Sequence, residues 1–158
     1  MPKLRIENFK CYKKEELLFG DLTVLVGANG AGKSSVIQSL LLLHEAVQAP
    51  KEHRRLPLNG FRSQNLGSAS DIVFNNDTSL DIKLSWVVDK PLKSSRVTLR
   101  SPDGDVIFNI DKIKCSIGEN ELTKAEFHFI SADRIGSSIA QPMHSSGNLN
   151  VGDKGEYC

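Results

Sequence analysis

The clearest chemistry in this chain lies in eight consecutive residues, Gly27-Ala28-Asn29-Gly30-Ala31-Gly32-Lys33-Ser34, with Ser35 directly behind them. Their spacing fits the phosphate-binding loop pattern G-x-x-x-x-G-K-[ST]. Gly27, Gly30 and Gly32 allow the backbone to turn tightly and bring its N–H groups close to phosphate oxygens, with no Cβ in the way. Across Asn29, Gly30, Ala31 and Gly32 the main chain would wrap the anion. Lys33 would place its ammonium on the β- and γ-phosphates as a point charge on a flexible stem. The Ser34 hydroxyl would join the oxygen shell of a Mg²⁺ ion. Ser35 would offer a hydroxyl and an N–H to the α-phosphate. The plainer alternative is a glycine-rich turn that merely precedes a helix.

Such a loop works only between a strand and a helix, and the flanking residues read that way. Leu22-Thr23-Val24-Leu25-Val26 is apolar and β-branched and predicts a short buried strand. Behind the loop, Val36, Ile37, Leu40, Leu41, Leu43 and Val47 recur at helical spacing. That helix is predicted from Ser34 to about Ala49, because the residue before Pro50 resists the helical conformation. A helix beginning there adds the positive end of its dipole to the loop. His44 reads as a polar residue on this helix, with no chemistry assigned.

A chain of 158 residues accommodates one domain with a sizeable core. With 39% hydrophobic and 25% charged residues it reads as an ordinary soluble globular protein rather than a disordered one. The net charge of +1 gives no general pull toward nucleic acid, so any such site would be a local patch. Cys11, Cys115 and Cys158 lack metal-ligand spacing, and an odd count fits a reducing compartment. The longest apolar run, Leu40 to Leu43, is too short to span a bilayer, and no secretory signal opens the chain. The expectation is a cytoplasmic protein without a membrane partner.

Two strands are predicted ahead of the loop. Leu4, Ile6 and Phe9 face one way and Arg5 and Glu7 the other. Glu15 to Phe19 forms the second strand, and Gly20-Asp21 turns the chain toward the loop. An opening of the type Leu-x-Ile-x-Asn-Phe-Lys, a second strand, and then Gly-x-Asn-Gly-x-Gly-Lys-Ser-Ser resembles the ATP-binding-cassette type ATPases of the chromosome-maintenance and recombination-repair group. Within that group the chain looks most like prokaryotic AAA-family ATPases related to the overcoming-lysogenization-defect family, many of which sit in phage-defence systems. The resemblance implies ATP and Mg²⁺ as ligands and puts Asn8 and Lys10 near the base and ribose. A solvated strand end is the competing reading of those two residues.

Beyond Pro50, Lys51, His53, Arg54 and Arg55 form a basic cluster that reads as a solvated loop, since no aromatic residue is interleaved to stack on bases. Pro57 to Gly60 predicts a turn. Cassette ATPases carry a glutamine in the following region that reaches the Mg²⁺ and the attacking water. By that resemblance Gln64 is the candidate, its rival role being an exposed loop residue. From Ser79 onward the pattern is β. Leu80, Ile82, Leu84 and Trp86 alternate with Asp81, Lys83 and Ser85. Val97 to Arg100 and Val106 to Ile110 flank a hairpin turn at Ser101 to Asp105. Ile113 to Ile117 and Glu126 to Ile130 read as two more strands, while Asp89 and Asp111 read as strand-end residues. This meander, roughly residues 75–131, fits the β-subdomain that cassette ATPases attach to their core.

Phe127 to Gly136, ending Ser-Ala-Asp-Arg-Ile-Gly, and Gly152 to Tyr157 also resemble segments of the defence-type family. The resemblance implies that Asp133 and Arg134 brace the nucleotide lobe, with a plain strand-to-loop corner as the alternative. His128 alternates with Phe127 and Phe129 and reads as a core or surface residue. The Ser-Gly-Gly signature, the apolar strand ending Asp-Glu and the later histidine of cassette ATPases do not follow Tyr157. The expectation is therefore an α/β fold: a P-loop NTPase core (strand, loop, helix) with an antiparallel β-subdomain, incomplete, covering residues 1–158 as the N-terminal portion of one ATPase domain. Its expected function is Mg-ATP binding, in phage defence or DNA repair. Turnover would await the C-terminal part or a partner protein, with dimerisation of the complete form and nucleic acid reached through a larger assembly. A P-loop kinase or phosphotransferase and a non-catalytic interaction module remain the alternatives.

Overall fold

Alternating apolar and polar residues build most of the observed structure, a computed structural model that describes residues 1–49, 54–59, 66–89, 92–100, 107–115 and 127–129. The elements in chain order are β1 (Lys3–Phe9), β2 (Tyr12–Leu18), α1 (Lys33–Gln48), β3 (Arg55–Pro57), α2 (Ala69–Ile72), a 3₁₀ turn at Phe74–Asn76, β4 (Ile82–Asp89), β5 (Leu92–Arg100) and β6 (Ile107–Cys115). The chain divides into two units, 1–125 and 126–158. All the named elements belong to the first. In the second, residues 127–129 form no regular structure, which corrects the expected strand from Glu126 to Ile130, and His128 is exposed.

The six strands form one antiparallel sheet in the order β2-β1-β4-β5-β6-β3. Period-2 alternation gives this sheet two unlike faces. One carries Leu4, Ile6, Ile82, Leu84, Val97 and Leu99, all fully buried, and α1 packs across β1, β4, β5 and β6 on the same side. The other face is charged. Arg5 bonds Glu16, Glu7 lies between Lys14 and Lys83, and Lys3 pairs with Asp89 at 2.9 Å. These exposed pairs are worth little energetically, but they keep that face wet and the register single.

The helix matches its predicted span closely. It ends with Ala49 as the cap, whose N–H bonds the Glu45 carbonyl, just ahead of Pro50. Its buried residues include four in succession, Leu41 to His44, so it is covered over more than a single stripe. His44 is thereby a buried helix residue, 4% exposed. Two strand assignments need correction. Ile113 does not begin a separate strand. β6 runs through from Ile107 to Cys115, because an irregularity between Thr98 and Leu99 keeps β5 and β6 in pairing. Asp111 consequently lies inside β6, whereas Asp89 does end β4.

The largest difference lies just ahead of the glycine loop. Leu22 to Val26 is not a strand, and Leu22, Val24 and Val26 are 84%, 71% and 87% exposed. Strand propensity is realised only beside another strand that takes up the backbone N–H and C=O groups. Among the described residues no strand pairs with this segment.

The burial contrast sets an expectation for stability. Leu84→Ala, at the centre of the covered face, is expected to cost about 2–5 kcal/mol. Arg96→Ala, on the charged face, is expected to stay within about 0.5 kcal/mol of the parent. Urea denaturation of both variants checks this. Equal midpoints would place the core elsewhere.

Candidate functional site

Local geometry at the start of α1 follows from Gly32. This residue caps the helix in the left-handed region at φ 89°, and no side chain caps the N-terminus. No acidic residue occupies the first turn. The early N–H groups of a helix have no partners within it, so this end carries positive partial charge with nothing negative beside it in sequence. Val36 N–H makes the first helical bond, to the Gly32 carbonyl at 3.1 Å. Ser34 is exposed and Ser35 half-buried in that first turn.

The Lys33 ammonium folds back over the loop. It donates to the Gly27 carbonyl at 2.8 Å and to the Ala28 carbonyl at 2.6 Å. Ala31 N–H closes a turn onto the Ala28 carbonyl at 3.2 Å, and Gly30 takes φ 80°. The glycines at 27, 30 and 32, the lysine and the two serines therefore stand together on one loop and one helix end.

The tip of the β1–β2 hairpin stands against this loop. Only Lys10 and Cys11 lie between the paired residues Phe9 and Tyr12. The Tyr12 hydroxyl donates to the Gly32 carbonyl at 3.3 Å. Burial, with smaller effects of Cys11 and Glu15, raises the phenol's pKa. A Cβ on Gly32 would lie 2.7 Å from both Cys11 Sγ and the Tyr12 hydroxyl. Glycine is thus required there by space as well as by backbone angle. The sequence carried no sign of this contact, because it arises from hairpin register rather than from any motif.

Asn8 and Lys10 both have positive φ, 58° and 50°. The Asn8 amide donates to the Asp81 carbonyl at 2.9 Å, bracing β1 against the segment before β4. Lys10 N–H donates to the Ile72 carbonyl at 2.7 Å, and Phe9 bridges Val73. The Lys10 ammonium donates to Gln38 Oε1 on α1 at 2.7 Å. Burial lowers its pKa, against the opposing effects of Asp71 and Cys11. Asp71 closes a capping box on α2, accepting from the N–H and the hydroxyl of Ser68 at 2.7 Å each. Those two bonds, assisted by Lys10, hold its carboxyl below the usual range.

Gln64, Asp133 and Arg134 lie outside the described residues, as does Gly152 to Tyr157. The ends of the segment that carries Gln64 are described. The Asn59 side chain clasps Gly67 through two 3.0 Å bonds, and Leu66 N–H donates to the Leu58 carbonyl. Among the described residues no group of three or more His, Cys, Asp or Glu is placed to hold a metal, and no helix is long and apolar enough to cross a membrane.

Residues 1–133 match a family model described as an AAA ATPase domain. Over 118 residues the chain is 27% identical to the OLD nuclease of Thermus scotoductus, an alignment covering 70% of this chain and 20% of that protein. The chain thus spans about a fifth of that relative's length.

The crowding at Gly32 separates two glycine substitutions. Gly30→Ala meets nothing within 4 Å and carries only the cost of a left-handed backbone, about 1–2 kcal/mol. Gly32→Ala adds the clash with Cys11 and Tyr12, so its thermal midpoint is expected to fall further. Equal midpoints would show that the hairpin tip does not press on the loop.

Proposed function

This chain belongs to the AAA ATPase domain family, and from that premise we propose that residues 27–34 are its phosphate-binding loop and that it binds Mg-ATP. The observation that carries the reading is the start of α1. The glycine cap offers the first N–H groups no side-chain acceptor, the first turn holds no carboxylate, and Lys33 hangs over the same loop on neutral carbonyls. A polyphosphate would replace those carbonyls as the acceptor of Lys33 and collect the helix N–H groups at once.

In this reading the backbone of Asn29 to Gly32 wraps the β-phosphate, and Lys33 neutralises the β- and γ-oxygens. Ser35 reaches the α-phosphate. The Ser34 hydroxyl joins a Mg²⁺ that arrives with the nucleotide. That suits an ion which keeps most of its waters and takes few protein ligands. Lys10, and less directly Asn8, serve the nucleotide from the hairpin side. Gln64 is the proposed reach to metal and water.

The fold so read is a P-loop NTPase core joined to an antiparallel β-subdomain, and residues 1–158 are an N-terminal portion of that ATPase domain. Phosphoryl transfer to water needs an oriented water and charge stabilisation around it. Those groups would come from other parts of the polypeptide or from a partner, with two complete copies pairing. The likeness to a protein named as a nuclease supports a link between this ATPase and nucleic-acid work; phage defence or DNA repair, in the cytoplasm, is the setting proposed for it.

Lys33→Ala is expected to reduce ATP affinity below detection by calorimetry. The fold should stay intact, with the melting temperature lowered only by the loss of the two bonds to the Gly27 and Ala28 carbonyls, about 0.5–1.5 kcal/mol each. ATP binding as tight as in the parent would remove the phosphate-loop reading.

A further inference from the structure

The Lys10 ammonium sits on the side chain of Gln38, and neither the loop motif nor the family match gives Gln38 a task. Three observations bear on the pair. First, Lys10 holds a left-handed backbone at φ 50°, a conformation that disfavours a lysine and that persists only where surrounding bonds enforce it. The enforcing bonds are Lys10 N–H to Ile72 O and the bridge between Phe9 and Val73. Second, the ammonium donates to a neutral amide oxygen at 2.7 Å, although the Asp71 carboxylate is near enough to act on it electrostatically. Asp71 is engaged by Ser68. Third, Gln38 follows Ser34 by four residues and Ser35 by three, so it lies over both on the same helix face, one turn of about 5.4 Å away.

We propose that Gln38 is a positioning residue that holds the Lys10 ammonium in reserve one turn above Ser34 and Ser35 while the loop is empty, and surrenders it to the nucleotide's phosphates on binding. The inference rests on the phosphate-loop reading of residues 27–34. It makes Lys10 a second phosphate cation, approaching from the hairpin, where the resemblance alone had placed it by the base and ribose. Lys33 and Lys10 then behave alike: each is held on neutral oxygens in the empty state, and each exchanges them for charged ones. A half-buried ammonium keeps a partner at every stage. The exchange replaces a bond in which only the donor is charged by one charged on both sides.

The test is a double-mutant cycle on the intact protein, with calorimetric titration of ATP and, separately, of inorganic pyrophosphate. Gln38→Leu removes the competing acceptor without adding charge and keeps a good helix former. It is expected to raise affinity for both ligands about fivefold, the scale of one typical net hydrogen bond. Lys10→Met is expected to weaken both ligands, and in its presence Gln38→Leu should have no further effect. Unchanged or weaker binding by Gln38→Leu would overturn the proposal. So would an equal gain in the Lys10→Met background, since the two residues would then act independently. Gln38→Ala serves as a second truncation with the same expected direction. If Lys33→Ala retained full ATP affinity, the loop reading itself would fail, a result distinct from all of these.

Discussion

A helix end whose cap brings no side chain is the constraint on which the rest of this structure depends. The first turn of α1 has no carboxylate, and its cap is a glycine without a side chain. Nothing in the local sequence therefore neutralises its N–H groups. To build a binding site there, another element must come close without filling the space. The β1–β2 hairpin does this: its tip reaches Gly32 so closely that a Cβ would meet Cys11 and Tyr12. Its backbone is held in left-handed turns at Asn8 and Lys10 by bonds to Asp81 and Ile72. The strain and the close approach belong to one arrangement.

The sheet supplies the platform. Its covered face, with Leu4, Ile6, Ile82, Leu84, Val97 and Leu99, fixes α1 and hence the direction of its N-terminus. Register follows from the same alternation, since a slip of one residue would turn that set toward water. The ion pairs of the opposite face add specificity more than stability. Residues that hold α1 in place are thus spread over several strands, while those proposed to meet the nucleotide lie on one loop, one helix turn and one hairpin tip.

Motif spacing and periodicity made the helix, its end before Pro50, β1, β4 and the last four residues of β5 legible from the residues alone, while the start of β5 at Leu92 was missed. Each is dictated by local pattern and burial of one face. Spacing alone marked the candidate site only where it is continuous in sequence, from Gly27 to Ser35, and the family resemblance added Asn8, Lys10 and Gln64. Tyr12 against Gly32 and Lys10 on Gln38 come from the hairpin's fold-back, which no spacing rule encodes. Leu22 to Val26 misled for the opposite reason. Its residues are strand formers, yet a strand exists only with a neighbour, and among the described residues it has none. Asp111 was misplaced because β6 continues past it through an irregular pairing that the sequence does not announce.

The central claim is that the helix end, the glycine loop and the hairpin tip act together on a polyphosphate. Backbone amide NMR spectra recorded during titration with ATP and Mg²⁺ test it most directly. The account predicts that the amides of Gly30 to Val36 shift together with those of Lys10 to Tyr12, at one common midpoint, while β5 and β6 stay still. Saturable ATP binding that leaves Gly30 to Val36 unmoved would contradict it.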